Sequence, residues 1–315
     1  MTSSFRLPRT VLPAVALLAA APTVGCGHGT SGGTGAPVPV ATTATTTTAT
    51  TTSAGPTDAA FKDLEQRFGA RLGVYAVDTG SGREVTHRPD ERFAFASTIK
   101  SLLTGALLRT ASDQELDKVV SYRQESVLTW APITSQHVAT GMRVRDLAAA
   151  AIEYSDNTAA NLLLTELGGP EALQRTLREL GDPTTNVNRN EPTLNEATPG
   201  DPRDTSTPRA FAADLRRYTL GDVLTEDRRR LLTDWLVGNT TGAEFIRAGV
   251  PADWKIGDKT GTGDYGTRND VAVAWPSGGR SPIVLVVLSD RGKAGATSDD
   301  ALIAEATKAV VTALG

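Results

Sequence analysis

Ser97 and Lys100, near the start of an apolar helical segment, have the spacing of a nucleophile and its base. Residues three apart on a helix share one face, so the hydroxyl and the amine can meet. The helix dipole favours an alkoxide at Ser97, and a desolvated Lys100 can lose its proton and act as a base. A capping Ser followed by a surface Lys explains the same pair structurally, so the pair alone predicts no reaction.

Two further polar clusters follow along the chain. Ser155 to Asn157 place a hydroxyl, a carboxylate and an amide at a predicted helix junction, where Asp156 is best explained as a helix cap. Lys259 to Gly261 lie on a predicted strand, and a Gly within a strand often marks the close approach of a ligand. An exposed Lys before a hairpin turn is the structural alternative.

Residues 182–207 form a long stretch without a helical or strand pattern, and such segments in compact domains are often functional. Arg189 and Asp204 have opposite charges and are suited to pin the ends of an Ω-loop. Glu191 stands before Pro192, which restricts its backbone. A solvated loop Glu is the alternative reading of this residue.

The composition excludes several classes of protein. The chain has 315 residues with 32 Lys and Arg, 36 Asp and Glu, and a net charge of −4, which does not suit a nucleic-acid partner or an anionic membrane surface. The single Cys excludes an intrachain disulfide, and the three His show no metal-ligand spacing. We therefore expect neither a metal nor a cofactor, and a Lys or carboxylate as the base for any nucleophile.

Residues 1–26 have the pattern of an export signal. Arg6 and Arg9 precede an uncharged run over residues 11–24, which is too short for a span of about 20 residues. The run ends at Cys26 and resembles a lipoprotein signal, in which the Cys is lipidated. Ordinary signal cleavage beside an incidental Cys is the alternative.

The remaining pattern predicts how the chain positions these clusters. Residues 27–57 are rich in Gly, Pro and Thr and predict a disordered linker. Strand-like runs near both ends and helices between them predict an α+β fold, with a five-stranded antiparallel sheet built from both termini, flanking helices and an inserted all-α domain. We expect a sheet-and-helix domain of residues 58–92 and 238–315, and an inserted helical domain of residues 93–237 that carries an Ω-loop at 189–204. The predicted strands are 71–77, 83–87, 254–260, 270–275 and 283–288, and the predicted helices are 58–68, 98–110, 144–154, 158–167, 170–180, 208–218 and 299–314.

The four clusters are weak signals singly and specific as a set. Their order is Ser-x-x-Lys, Ser-Asp-Asn, Arg-x-Glu-Pro-x-Leu-Asn and Lys-Thr-Gly. Over residues 58–315 the chain resembles the class A serine β-lactamases, of the actinobacterial type and carried as a lipoprotein. The resemblance implies hydrolysis of the β-lactam amide bond of penicillins and cephalosporins through a serine acyl-enzyme, giving antibiotic resistance. It implies an exported monomer, lipid-anchored on the outer face of the cell membrane or alternatively secreted.

The resemblance also implies roles for the catalytic side chains. Ser97 would be acylated with Lys100 as its base partner, and whether Lys100 or Glu191 is the acylation base stays open. Glu191 would activate the deacylating water, with Asn195 as a second clamp. Further implied roles are proton transfer to the ring nitrogen by Ser155 with help from Lys259, an oxyanion hole of the Ser97 and Thr262 N–H groups, and substrate contacts by Asn157, Thr260, Gly261, Thr262, Arg268 and, as an aromatic gate, Trp130.

Two rival functions share this fold. A penicillin-binding D,D-peptidase has the Ser-x-x-Lys and Lys-Thr-Gly motifs and lacks the Glu-bearing loop. A non-hydrolysing β-lactam sensor stays acylated and would need a membrane-spanning signalling segment, and no apolar run here has that length. The presence of Glu191 and Asn195 favours the hydrolase.

Overall fold

The computed structural model describes residues 56–315. The predicted signal with Cys26, and the linker up to residue 55, lie outside the described residues. The helices are α1 (Pro56–Phe68), α2 (Ile99–Thr110), α3 (Asp113–Asp117), α4 (Val144–Glu153), α5 (Asn157–Leu167), α6 (Pro170–Glu179), α7 (Pro208–Thr219), α8 (Glu226–Val237), α9 (Ile246–Gly249) and α10 (Asp300–Leu314). The strands are β1 (Arg71–Asp78), β2 (Glu84–His87), β3 (Phe93–Ala94), β4 (Val119–Val120), β5 (Met142–Arg143), β6 (Thr205–Ser206), β7 (Lys255–Thr262), β8 (Arg268–Trp275) and β9 (Ile283–Asp290).

Five of these strands form one antiparallel sheet in the order β2-β1-β9-β8-β7. Its strands come from both ends of the described chain, and helices α2 to α9 lie between them in sequence. This architecture confirms the predicted α+β class. The described residues fall within one compact unit, and the division at residues 93 and 237 remains a prediction.

The sheet separates two apolar cores because successive side chains of a strand point to opposite faces. Val74 and Ala76 of β1 pack with α1 and α10 residues on one face, whereas Tyr75 and Val77 join the larger cluster of the central helices. Helix α2 lies within that larger cluster, and ten of its twelve residues are buried. The helix that carries Lys100 is therefore held on all sides.

Helix α8 was not predicted from the sequence. Its first five residues are Glu, Asp and three Arg, and only Leu232, Trp235 and Leu236 are buried, so its apolar pattern is short. Thr225 caps it by accepting a hydrogen bond from the Arg228 N–H, which is a signal that sequence reasoning could have used.

Candidate active site

The turn before α2 presents Ser97. Residues 96–98 form a short 3₁₀ turn, and Ala96 has a left-handed φ of 48°, a strained conformation for a residue with a side chain. Ser97 is therefore in this turn, and the α-helix itself begins at Ile99. The Lys100 Nζ lies 2.9 Å from the Ser97 Oγ.

Lys100 is fully buried among oxygen atoms. Its Nζ lies 2.8 Å from the backbone oxygen of Ser155 and 2.6 Å from the Asn157 Oδ1, as well as 2.9 Å from the Glu191 Oε1. Desolvation lowers the pKa of Lys100, and the charge of Glu191 opposes part of that shift. The amine is thus held in place, and its lowered pKa makes it easier for the amine to lose its proton and act as a base.

Glu191 is the second ionisable group at the Ser97 hydroxyl. The Ser97 hydroxyl donates to its Oε1 at 3.1 Å, and the Asn195 amide donates to its Oε2. Asn161 fixes the backbone of Glu191 by donating to its carbonyl at 2.8 Å and accepting from its N–H at 2.9 Å. Sequence reasoning missed Asn161, although it lies four residues after Asn157 and so on the same face of α5.

An ion pair joins the two ends of the segment that carries Glu191. Arg189 Nε lies 2.5 Å from Asp204 Oδ2. Asp204 Oδ1 accepts from the backbone N–H groups of Asn188 and Arg189 at 2.8 and 3.0 Å. Asp204 is fully buried, and these three donors compensate the charge that water cannot reach.

Ser155 stands between the two buried lysines. Lys259 Nζ donates to its Oγ at 3.0 Å, and Lys100 Nζ lies 3.4 Å from the same oxygen. Desolvation, followed by repulsion from Lys100, lowers the pKa of Lys259 to about 7. Asp156 caps α5 by accepting from the Ala159 N–H, which agrees with its interpretation as a structural residue.

Strand β7 approaches the Ser97 turn at Gly261. A Cβ at this position would lie 2.9 Å from the Phe95 carbonyl oxygen and 3.0 Å from the Thr98 Cγ2, so a larger residue would push the strand away. The neighbouring Thr260 hydroxyl lies 2.6 Å from that of Thr241. The strand edge therefore borders the turn that carries Ser97.

Arg268 and Trp130 lie at the edges of the cleft. Arg268 donates to the Thr262 hydroxyl at 2.6 Å, pairs with Asp300 at 2.5 Å and lies over the Phe245 ring. Trp130 is 56 % exposed and donates its Nε1–H to the Tyr154 carbonyl. Its exposure places it at the rim and not in the packed core.

These residues surround one cavity of about 650 Å³. It brings together Ser97, Trp130, Ser155, Asn157, Asn195, Thr260, Gly261, Thr262 and Arg268. The buried groups Lys100, Glu191 and Lys259 lie behind this lining, in hydrogen-bond contact with it. Sequence reasoning missed Thr240, Thr241, Ala243, Glu244, Phe245 and Asp300, which also line the cavity and belong to none of the four motifs.

Residues 56–315 contain no group of three or more His, Cys, Asp or Glu placed to hold a metal ion. None of their helices has the length and apolar character needed to cross a membrane.

The site is that of a serine acyl-transfer enzyme, with a nucleophile that contacts a buried Lys and a buried Glu. The family described as "Beta-lactamase enzyme family" matches residues 56–314. A β-lactamase of Amycolatopsis lactamdurans is 57 % identical over 81 % of this chain and 84 % of its own length. The β-lactamase AST-1 of Nocardia asteroides is 56 % identical, covering 82 % of this chain and 84 % of its own. A class A β-lactamase structure from Clostridium kluyveri DSM 555 is 48 % identical, with a TM-score of 0.80 over 82 % of this chain and 98 % of that one. The chain belongs to the β-lactamase enzyme family.

Proposed function

We propose that this protein hydrolyses the β-lactam amide bond of penicillins and cephalosporins through a serine acyl-enzyme, and so gives antibiotic resistance. The observation that carries this function is the position of Glu191, whose carboxylate contacts the Ser97 hydroxyl at 3.1 Å on a separately anchored segment. A nucleophile with a second buried base can both form an acyl ester and have that ester hydrolysed.

In acylation the proton of Ser97 leaves toward one of two groups. The Ser155 carbonyl and the Asn157 Oδ1 can only accept hydrogen bonds, so the two N–H bonds of a neutral Lys100 amine would point to them. The third position lies toward both Ser97 Oγ and Glu191 Oε1, each 2.9 Å from Nζ; it would hold the lone pair in the neutral amine and an N–H in the ionised one. Glu191 reaches the same hydroxyl, so the geometry fits either base.

The tetrahedral intermediate then needs donors and a proton for the leaving nitrogen. The backbone N–H groups of Ser97 and Thr262 would stabilise the oxyanion, and one such donor is typically worth 10²–10³ in rate. Ser155 would give its proton to the ring nitrogen and recover one from an adjacent lysine. Its contacts with Lys259 at 3.0 Å and Lys100 at 3.4 Å support this relay.

Deacylation would use Glu191 as the general base. Asn195 orients the Glu191 carboxylate through its Nδ2, and its Oδ1 is buried with no hydrogen-bond partner within residues 56–315. A buried acceptor of this kind is suited to clamp the hydrolytic water between the amide and the carboxylate. Hydrolysis of the ester returns Ser97 to its starting state.

Substrate recognition would rest on the cleft edges. The lactam's neighbouring carboxylate would accept from the hydroxyls of Thr260 and Thr262 and from Arg268, with Gly261 leaving room for β7 to run beside the substrate. Asn157 would contact the acylamide side chain, and the exposed Trp130 would cover the cleft mouth. A charge-assisted bond to the carboxylate contributes roughly 1.5–3 kcal/mol.

Steady hydrolysis of a chromogenic cephalosporin by the purified protein tests this function. We expect many turnovers per enzyme molecule, and none from Ser97→Ala. A single stoichiometric burst would instead indicate the sensor-like alternative, and peptide cleavage without cephalosporin turnover would indicate a D,D-peptidase.

We also propose an actinobacterial, lipid-anchored monomer as the form of this enzyme. The similarity to the Amycolatopsis and Nocardia proteins supports the actinobacterial type. The position of Cys26 directly after the apolar run supports anchoring on the outer face of the cell membrane, with secretion as the alternative. The lipid would be the chain's contact with the membrane.

A further inference from the structure

Two carboxylates outside the cleft face each other in the protein interior. Asp214 lies on α7 and is fully buried, and Asp182 follows α6 and is 5 % exposed. Both line a cavity of about 230 Å³. Neither carboxylate oxygen of Asp214 has a hydrogen-bond partner within residues 56–315, so this group differs from the buried and fully paired Asp204.

Asp182 is occupied on its own side. Its Oδ1 accepts from the backbone N–H of Thr184 at 2.7 Å and of Thr185 at 3.1 Å. Thr185 and Ser206 share a hydrogen bond between their hydroxyls at 2.7 Å, and Asn186 N–H donates to the Thr205 carbonyl. Asp182 therefore holds the point at which the two ends of residues 182–207, the Glu191 loop, meet.

Most of the Arg side chains near Asp182 and Asp214 bind other partners. Arg178 donates to the Asp182 carbonyl and to the Asn186 Oδ1, while Arg209 pairs with Asp90 and Glu84. Arg217 is exposed, and its charge offsets only part of the rise in the pKa of Asp214. Tyr218 lies one turn further along α7 and is neutral. Its hydroxyl is buried without a hydrogen-bond partner in the described chain, and the charges of Arg109 and Glu179 act on its pKa.

Burial and the adjacent charge of Asp182 raise the pKa of Asp214 to about 8. Two carboxylates this close cannot both ionise without strong repulsion, so the stable arrangement has one proton between them. With that proton, the Asp214 hydroxyl donates to an Asp182 oxygen, so one of the two unpartnered oxygens of Asp214 gains a partner.

We propose that Asp214 is a positioning residue whose protonated carboxyl donates a hydrogen bond to Asp182. This bond holds the root of the Glu191 loop, which is the point where the two ends of the loop meet. The effect on catalysis rests on the proposed role of Glu191; the shared proton does not. When the proton is lost in alkaline solution, two adjacent buried anions repel each other at the root of the loop. Both the stability of the fold and the deacylation rate then fall.

The direction of the pH effect follows from the raised pKa. The unfolded chain loses the Asp214 proton near the ordinary value of 3.8, and the folded chain retains it until about 8. Between these limits the folded state binds more protons, so the contribution of this group to stability declines as pH rises. Asp214→Asn keeps an N–H donor toward Asp182 and removes the titration, so it is expected to be more stable than wild type in alkaline solution.

The test compares wild type with Asp214→Asn and with Asp227→Asn, a matched change at a carboxylate that is 92 % exposed on α8. We expect Asp214→Asn to unfold at a higher temperature than wild type at about pH 9, with a smaller difference at about pH 5. A preformed acyl-enzyme should deacylate severalfold more slowly in wild type at the higher pH, and this loss should be reduced in Asp214→Asn. The Asp227→Asn protein should follow wild type in both measurements.

A third readout needs no substrate. With ¹³C at the Asp carboxyls, a resonance that titrates near pH 8 in wild type should be missing from Asp214→Asn, and a resonance unchanged in the variant would contradict the proposal. The comparison is needed because burial also raises the pKa of Asp258 and of Asp270. If every resolved Asp carboxyl is ionised by about pH 6, the shared proton is absent and the proposal is wrong. A resonance near pH 8 with unchanged deacylation would overturn the link to the loop and leave the hydrolytic function intact, and loss of turnover at every pH would instead count against the proposed function.

Discussion

The Lys100 amine and the Glu191 carboxylate lie 2.9 Å apart, and each contacts the Ser97 hydroxyl. Both side chains are fully buried, so each compensates the charge of the other. The arrangement places Lys100 on a buried helix and Glu191 on a separately pinned loop. The two groups can therefore serve different steps at one oxygen atom, which separates this site from a serine enzyme that stops at the ester.

The alkaline limb of the pH profile for acylation should reflect the loss of the charge on Lys259. Its pKa is lowered to about 7, so its charge is lost as pH rises through that value. We expect kcat/KM for a penicillin to fall above that pH, because the protonated amine donates to the Ser155 hydroxyl and would assist its proton transfer. Lys259→Arg keeps its charge and should move the limb to higher pH. An identical limb in both proteins would assign the titration to another group.

Arg268 should contribute mainly to the binding of the substrate carboxylate. Loss of a charge-assisted bond of roughly 1.5–3 kcal/mol predicts that Arg268→Ala lowers kcat/KM for penicillins about tenfold to a hundredfold. Arg230→Ala, at an exposed site on α8, is the control and should leave kcat/KM unchanged. An unchanged value for Arg268→Ala would mean that a different cation holds the carboxylate.

The ion pair between Arg189 and Asp204 should stabilise the loop that carries Glu191. Asp204→Asn removes a buried charge that three donors contact, so we expect a loss of roughly 1.5–3 kcal/mol in the free energy of unfolding and slower deacylation. Urea unfolding measures the first effect. Asp201→Asn, which breaks a short-range pair with Arg203 in the same loop, should cost less than about 1 kcal/mol. Equal losses in the two variants would show that the 189–204 pair has no special role.

Cys26 should decide where the enzyme is found. The change Cys26→Ala removes the proposed site of lipidation, so activity should move from the membrane fraction to the soluble fraction of the producing cells. A wild-type protein that is already soluble, with an unmodified N-terminus, would contradict the lipoprotein proposal and favour ordinary secretion.

The sheet was predictable because its strands have clear apolar patterns and are bounded by turn residues. Helix α8 was not, because its charged first turn leaves only three buried residues to show a period. The sequence pattern begins helix α2 one residue early, at Thr98, because Thr98 belongs to a separate 3₁₀ turn of residues 96–98, which lies against β7 at Gly261. Such a turn has no local signal in the sequence.

The motif residues of the site were predictable from their types and order, whereas the residues that support them were not. Asn161 acts through the backbone of Glu191, thirty residues away, and Asp300 acts through Arg268, thirty-two residues away. Burial, followed by the charge of Asp182, raises the pKa of Asp214. Properties of this kind come from burial and from long-range neighbours, which spacing along the chain does not encode.

The central claim is that Glu191 completes hydrolysis of an ester formed on Ser97. Intact-mass spectrometry after mixing with a penicillin tests it most directly, using wild type, Glu191→Ala and Ser97→Ala. A general base is typically worth about 10²–10⁴ in rate, so Glu191→Ala should retain one added drug mass long after wild type has cleared it, and Ser97→Ala should show no adduct. Turnover by Glu191→Ala at the wild-type rate would contradict the account, and a folded Glu191→Ala that never acylates would make Glu191 the sole acylation base.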